Sequence, residues 1–507
     1  SVSKGLALLK PQHVRCLSRT PRHVQNRVRG VQLFVAAKEA LGGIAAPEYP
    51  NFSFKIKYQD KSDSKARTTT ISTPHGEIQT PAFIFCATKA AIKGGIDPPK
   101  LRQADTQIIL SNTYHLMLQP GGELVRKMGG LQKFSGWNGP MLTDSGGYQI
   151  FSMGHGSVSQ EIKGNRGQKK SSKKKNNNKN SNDKEKGDRW VPTLLEVNEN
   201  GARFRSYLDG SIWELTPEKS IQIQRDLGAD LIVVLDECTA YHIGKDGTAE
   251  SMRMSHRWAL RSLAEFIRGD DGSQALYGII QGGVYDDLRV ESAEFINSQP
   301  FFGTAIGGSL GDSSRTMHDI VKFTAGLVRE DRPIHLLGIG GIKDVFNGVS
   351  EGIDTFDCVH PTRLGRHGGA LVAAAWWRAD HAPRPTPQQI IKNNGFPEHV
   401  NVVRAHFKED PRPLDPDCSC PTCQNYSRAY LNHCLKAGES LGGLLISQHN
   451  VHFMNKMMER IRESIPQGKL DEVKESYVGK ALEIQEMIET AKQTVVDDRK
   501  RENIEVA

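Results

Sequence analysis

Four carboxylates, one amide and several glycines stand in polar clusters that close short apolar runs. The clusters are Asp144-Ser145-Gly146-Gly147, Asp236-Glu237-Cys238, Gln281-Gly282-Gly283, Gly307-Gly308 and Asp357. Gathered carboxylates carry acid–base and nucleophilic steps, and each needs a partner held close by. A glycine pair alone reads as a tight turn, but five polar run ends together point to one shared mouth. A second cluster is of another kind. Cys418-Ser419-Cys420-Pro421-Thr422-Cys423 brings three thiols into six residues. Zinc completes such a set tetrahedrally, as a closed Cys3His structural site. Downstream, His433, His449, His452 and Cys434 are all candidates for the fourth ligand, and spacing alone does not choose among them.

The elements that must position the first cluster follow from the apolar pattern. Short, β-branched runs occupy Pro81–Cys86, Thr106–Leu110, Pro140–Thr143, Asp230–Leu235, Ala275–Ile280, Thr304–Ile306, Ile334–Gly338 and Thr355–Val359. Amphipathic stretches such as Pro217–Leu227, Ala249–Arg268, Ser314–Glu330 and Lys343–Gly352 separate most of them. This alternation argues for a parallel α/β sheet, and eight units argue for a closed (β/α)8 TIM barrel, with an open doubly wound sheet as the competitor. In a barrel the C-terminal strand ends converge on one face, where active sites form.

The rest of the 507-residue chain frames that barrel. Formal net charge is +8, compatible with a nucleic-acid partner without demanding one. No run of apolar residues is long enough to span a membrane. Eight cysteines, three of them crowded together, read as a reduced compartment with one metal site and not as a disulfide framework. From Ser1 to Lys38 there are eight basic residues and no acid, so residues 1–45 read as an organelle transit peptide, for plastid or mitochondrion. The competing reading is a disordered basic arm on a cytoplasmic protein. Residues 52–465 read as the barrel, with a metal-binding subdomain at about 395–455 near its C-terminal end. Within it, Lys163–Arg189 holds eleven basic residues and three acids, the composition of a solvated loop or a phosphate-binding arm. Val191–Leu195 and Ala202–Tyr207 beyond it read as hairpin strands, and residues 466–507 as a charged, solvated helical tail without chemistry.

Three segments carry a resemblance. Asp144-Ser-Gly-Gly-Tyr-Gln149 resembles the Asp-Ser-Gly-Gly-Phe/Tyr-Gln motif of the tRNA-guanine transglycosylases, the queuine tRNA-ribosyltransferases. Phe356-Asp-Cys-Val-His-Pro-Thr-Arg-Leu-Gly-Arg-His-Gly368 resembles their nucleophile segment. Leu414-Asp-Pro-Asp-Cys-Ser-Cys-Pro-Thr-Cys423, with His449-Asn450, resembles their zinc segment. The likeness runs from about residue 52 to 465, the lysine-rich loop excepted. It implies a bacterial-type catalytic chain that replaces guanine at the wobble position of G-U-N anticodons by a 7-deazaguanine base. In that frame Asp357 is the nucleophile and Asp144 the general acid/base. Asp236, Gln281 and the Gly308 backbone read the base edge, Tyr148 stacks on its face and Ser145 lines the pocket. Arg363 and Arg366 hold RNA phosphates, and Zn2+ sits on Cys418, Cys420, Cys423 and His449. Partners are the tRNA anticodon loop, the free base and a second copy of the chain, a heterodimer being the alternative.

These residue types suit that chemistry. A carboxylate beneath C1′ can trap the oxocarbenium-like centre covalently, as in retaining glycosidases. One carboxylic acid can protonate the departing guanine and then deprotonate the incoming base. Gly311 is expected to stand where bacterial relatives carry a valine, leaving room for queuine over the smaller 7-aminomethyl-7-deazaguanine. Leu337 stands where many carry methionine. Three other functions compete. A non-catalytic RNA-binding subunit is expected to lack the Asp144/Asp357 pair. The archaeosine branch carries an extra RNA-binding domain, and none is visible here. A free-standing glycoside hydrolase needs no zinc staple.

Overall fold

The computed structural model describes residues 45–60, 64–155, 193–239 and 241–505. The basic leader and the lysine-rich loop therefore lie almost wholly outside the described residues.

Eight parallel strands close into a barrel. In chain order they are Ala82–Cys86, Ile109–Ser111, Met141–Thr143, Leu231–Val233, Ala275–Ile280, Gly303–Ile306, Ile334–Leu336 and Thr355–Cys358. Each of the eight apolar runs supplies one of them. Neighbouring strands pair in sequence order, and the eighth returns to the first with Asp357 opposite Ile84. The strands are buried on both sides because side chains fill the interior and helices cover the outside. Helix Pro217–Leu227 shows why these covers form where they do. The Thr216 side chain accepts from the Lys219 amide, proline begins the first turn and Gly228 ends the helix in the left-handed region.

Antiparallel sheets add what the alternation did not predict. Ser53–Gln59, Arg67–Thr73 and Gly76–Thr80 form one, favoured by the Thr- and Ile-rich run Thr68–Thr73. It is tied to the N-terminal ends of the barrel strands. Arg67 forks onto Asp354 and onto the carbonyls of Glu330 and Arg332, and the His75 ring bonds Asp230. A second sheet pairs Leu194–Asn198, Gly201–Arg205 and Ile212–Leu215, so the expected hairpin gains a third strand.

After the eighth strand the chain builds a second core around Trp376, Trp377, Phe407, Leu431 and Ile446, with Cys420 and Cys423 in it. Helix Ser440–Ser464 joins this core to the barrel. It buries Ile446 in the former and Met454, Met457 and Ile461 in the latter. The charged tail is not simply solvated. Helix Leu470–Val478 buries Leu470, Tyr477 and Val478 against the barrel, and Arg378 holds Glu483 through two hydrogen bonds. Its apolar residues are few but lie on one face, which composition alone conceals. Among the described residues no helix is long and apolar enough to cross a membrane.

Candidate active site and metal centre

The polar strand ends converge as the barrel requires. Asp144 follows the third strand, Asp236 lies beyond the fourth, Gln281 follows the fifth, Gly308 lies beyond the sixth, and Asp357 belongs to the eighth. All gather at the C-terminal mouth.

Asp144 sits against the first turn of helix Thr113–Leu118. Its carboxylate accepts from the Thr113 amide at 2.8 Å, from Gln149 Nε2 at 3.0 Å and from the Asn112 side chain. These donors favour the charged form. Burial outweighs them, and the Asp357 charge adds to it, so the Asp144 carboxyl is pushed up to about 6. Asp357 is anchored differently. Its Oδ1 accepts from the Gly338 amide at 2.9 Å and lies 3.2 Å from His335 Nε2. Among the described residues, its Oδ2 has the Cys86 thiol, at 3.8 Å, as its only hydrogen-bond partner.

Asp236 is also buried and raised to about 6, chiefly by burial. Gln281 Nε2 donates to its Oδ2 at 2.6 Å and Ser145 Oγ to its Oδ1 at 3.2 Å. Ser145 therefore orients Asp236 as well as lining the opening. The glycine pair of the motif has a steric cause here, because a Cβ on Gly147 would lie 2.4 Å from the Asp236 carbonyl oxygen. Gly308 runs equally close to the Gln281 amide, since a Cβ there would lie 2.4 Å from its Oε1. A carboxylate, an amide and a backbone edge thus face one opening.

Tyr148 opens the helix Gly147–His155, is 48% exposed and lies within electrostatic reach of Cys238, Cys358 and Arg363. It lies at the rim, free to stack on a planar ligand. Arg363 and Arg366 belong to helix His360–Arg366, which directly follows the Asp357 strand. Arg363 is exposed, whereas Arg366 is partly buried and donates to the Lys93 carbonyl at 3.1 Å. Arg363 is the freer of the two for a phosphate. Gly311 has a reason inside the fold: its φ is +109°, and a Cβ would strike Thr316 Cγ2 at 2.6 Å. A side chain there would point at Thr316 and Val284, so the missing valine is not explained by ligand space alone. Leu337 is partly buried near Gly307.

Sequence reasoning missed Asn112, Thr113, Gln149 and His335. Asn112-Thr113 closes the second strand with polar residues, the same signal that exposed the other strand ends. His335 lies inside an apolar run, where it reads as core.

In the metal centre the fourth ligand resolves to His449. Its Nδ1 lies 3.7, 3.6 and 3.3 Å from the sulfurs of Cys418, Cys420 and Cys423. Tetrahedral zinc places sulfur and nitrogen ligands about 3.5 Å apart, so the four donors fit one ion. His449 Nε2 bonds the Leu371 carbonyl at 2.9 Å, which puts the proton there and leaves Nδ1 free to ligate. His452 turns instead to Ser419, and His433 is exposed. The cluster could hold a metal ion.

A family model described as queuine tRNA-ribosyltransferase matches residues 61–173 and 184–482. The chain belongs to the queuine tRNA-ribosyltransferase family. Membership makes it an enzyme of the pentosyltransferase class. The interruption of the match falls in the lysine-rich loop. A queuine tRNA-ribosyltransferase of Roseiflexus sp. (strain RS-1) is 41% identical over 84% of this chain and 99% of its own length. Similar proteins of the same name come from Synechococcus elongatus, 40% identical over 82% of this chain and 91% of its own, and from Cereibacter sphaeroides, 38% over 83% and 94%. The matched residues thus include both the carboxylate mouth and the Cys3His cluster.

Proposed function

We propose that this chain exchanges guanine at the wobble position of G-U-N anticodon tRNAs for a 7-deazaguanine base, with queuine favoured, by double displacement through a covalent ribosyl–Asp357. The observation that carries this reading is the pairing of two carboxylates, the buried Asp357 and the part-buried Asp144, at one mouth beside Asp236 and Gln281. Asp357 attacks C1′ as the C1′–N9 bond breaks, and the departing guanine takes the proton of Asp144. The incoming base then returns its proton to Asp144 and attacks C1′, releasing Asp357. Asp236 accepts from N1–H and the exocyclic amine of guanine, and adenine cannot offer both donors, so the wrong base leaves a buried carboxylate short of a hydrogen bond that guanine supplies. Tyr148 stacks on the flipped base, and an unpaired anticodon loop makes that flip inexpensive. Arg363, with Arg366 behind it, meets the phosphates. Zinc on the four-ligand cluster is structural, and the working unit is a homodimer. The basic leader supports work in an organelle.

The test is an exchange assay. Labelled guanine is incubated with a G-U-N tRNA transcript and then chased with unlabelled queuine. Label should enter the RNA and leave on the chase. Entry without loss on the chase would move the substrate to the aminomethyl base, and no entry by folded, metallated protein would overturn the catalytic reading.

The acid/base role makes a prediction about pH. Asp144 must be protonated when guanine leaves and ionised when the new base arrives. With the carboxyl at about 6, kcat/KM for tRNA should fall as pH rises through that value. The kcat/KM for the free base should fall as pH drops below it. Asp144→Asn should lose both limbs and about 10²–10⁴-fold in rate, whereas unchanged profiles would assign the proton to another group.

A further inference from the structure

His335 lies in the seventh strand, register partner to Thr355 in the eighth, and is 1% exposed. Its Nδ1 lies 2.9 Å from Thr355 Oγ1. Its Nε2 faces Oδ1 of Asp357 at 3.2 Å and has no hydrogen bond to any other group, because the contact is short but off line. An ionised carboxylate only accepts hydrogen bonds, so a ring nitrogen held against it must carry a proton. That sets the roles: the Thr355 hydroxyl donates to Nδ1, and Nε2–H lies beside Oδ1 without yet bonding it. The Gly338 amide donates to the same oxygen at 2.9 Å. Both polar neighbours thus stand on the Oδ1 side, while among the described residues Oδ2 has only the Cys86 thiol as a partner, at 3.8 Å.

We infer that His335 is a positioning residue for the nucleophile: with Gly338 it holds Asp357 by Oδ1, so that Oδ2 is the oxygen presented to C1′. The inference rests on the covalent reading above. The bond that forms is C1′–Oδ2 and the one that breaks is C1′–N9, whose electron pair leaves with guanine and takes the Asp144 proton. His335 takes no part in the proton transfer and touches no substrate. Its short, misaligned contact becomes a full hydrogen bond when the ring turns toward Oδ1, the tightening that catalytic contacts commonly undergo when substrate binds.

Formation of the covalent enzyme–RNA adduct reads this out, followed on denaturing gels with full-length protein and a tRNA transcript. His335→Leu should slow adduct formation and kcat by about 10- to 100-fold, the worth of a hydrogen bond to a charged group. KM for tRNA, metal content and melting temperature should stay near wild type. His335→Gln, whose amide can accept from Thr355 and donate to Asp357, should recover most of the rate. Thr355→Val should slow the wild type severalfold yet add nothing to His335→Leu, since the hydroxyl acts only through the ring. Wild-type kcat in His335→Leu, additive losses in the double variant, or no recovery by glutamine would each overturn the assignment. Absence of any adduct in the wild type would instead sink the covalent reading, and this inference with it.

Discussion

Asp357→Asn should bind tRNA as the wild type does and exchange no base. The substitution keeps the size of the side chain, and its carbonyl oxygen can still accept from the Gly338 amide. What disappears is the anionic oxygen that, in the proposed mechanism, forms the bond to C1′. Enzymes deprived of their nucleophile lose about 10⁴-fold or more in kcat, because the remaining groups only bind and polarise. The loss should therefore appear in kcat, with the dissociation constant for an anticodon stem-loop little changed. Labelled-guanine incorporation and the covalent adduct, measured together, check this. Residual exchange within tenfold of wild type, or an adduct formed by the variant, would transfer the nucleophilic role elsewhere. Asp144 is the nearest candidate, so Asp144→Asn should be assayed beside it.

Removal of the metal should have the second largest effect, on structure first and activity second. Cys420 and His449 are fully buried, and Cys423 nearly so, in a core made of few large side chains. Without an ion, buried thiols and a buried imidazole face one another with little else to hold them. Structural zinc binds with apparent free energies of about 10–16 kcal/mol in small domains, comparable to the whole stability of a typical fold, about 5–15 kcal/mol. A chelator, or Cys423→Ser, should therefore melt this subdomain at assay temperature. Trp376 and Trp377 pack at its centre, so their fluorescence reports the change. The damage should reach the catalytic mouth. Helix Ser440–Ser464 carries His449 and also presses on helix His360–Arg366: Asn450 donates to the Pro361 carbonyl at 2.9 Å, and Ser447 donates to that of Thr362 at 3.2 Å. Loss of the ion should thus displace Arg363 and weaken tRNA binding as well. Purified protein that carries no metal yet melts at the same temperature before and after chelation would refute a structural ion.

Much of this protein is determined locally and is therefore legible in its residues. A barrel strand needs an apolar run with a polar end, and that need is visible one segment at a time, which is why all eight runs mark strands. The three-thiol cluster is just as local, since six consecutive residues hold all three sulfurs. Asp144, Asp236, Gln281 and Asp357 could be gathered at one mouth because a parallel barrel sends every strand end to the same face.

The tertiary structure decided what depends on contacts across the chain. The choice of His449 over His433, His452 and Cys434 rests on distances between segments separated by more than twenty residues, and on the Leu371 carbonyl that fixes its tautomer. The raised Asp144 and Asp236 carboxyls arise from burial, which belongs to the assembled barrel and not to either residue's neighbours in sequence. Gly147 is glycine because the Asp236 backbone passes beside it, some ninety residues away in the chain. His335 looks like an ordinary core histidine until strand pairing lays it against Thr355 and Asp357. The charged tail looks solvated until one face of Leu470–Val478 finds the barrel. The amino-acid sequence thus specified which polar groups meet at the mouth and which elements carry them. Only the closed barrel set how each group is oriented and how strongly it holds its proton, because both depend on through-space contacts and on the exclusion of water.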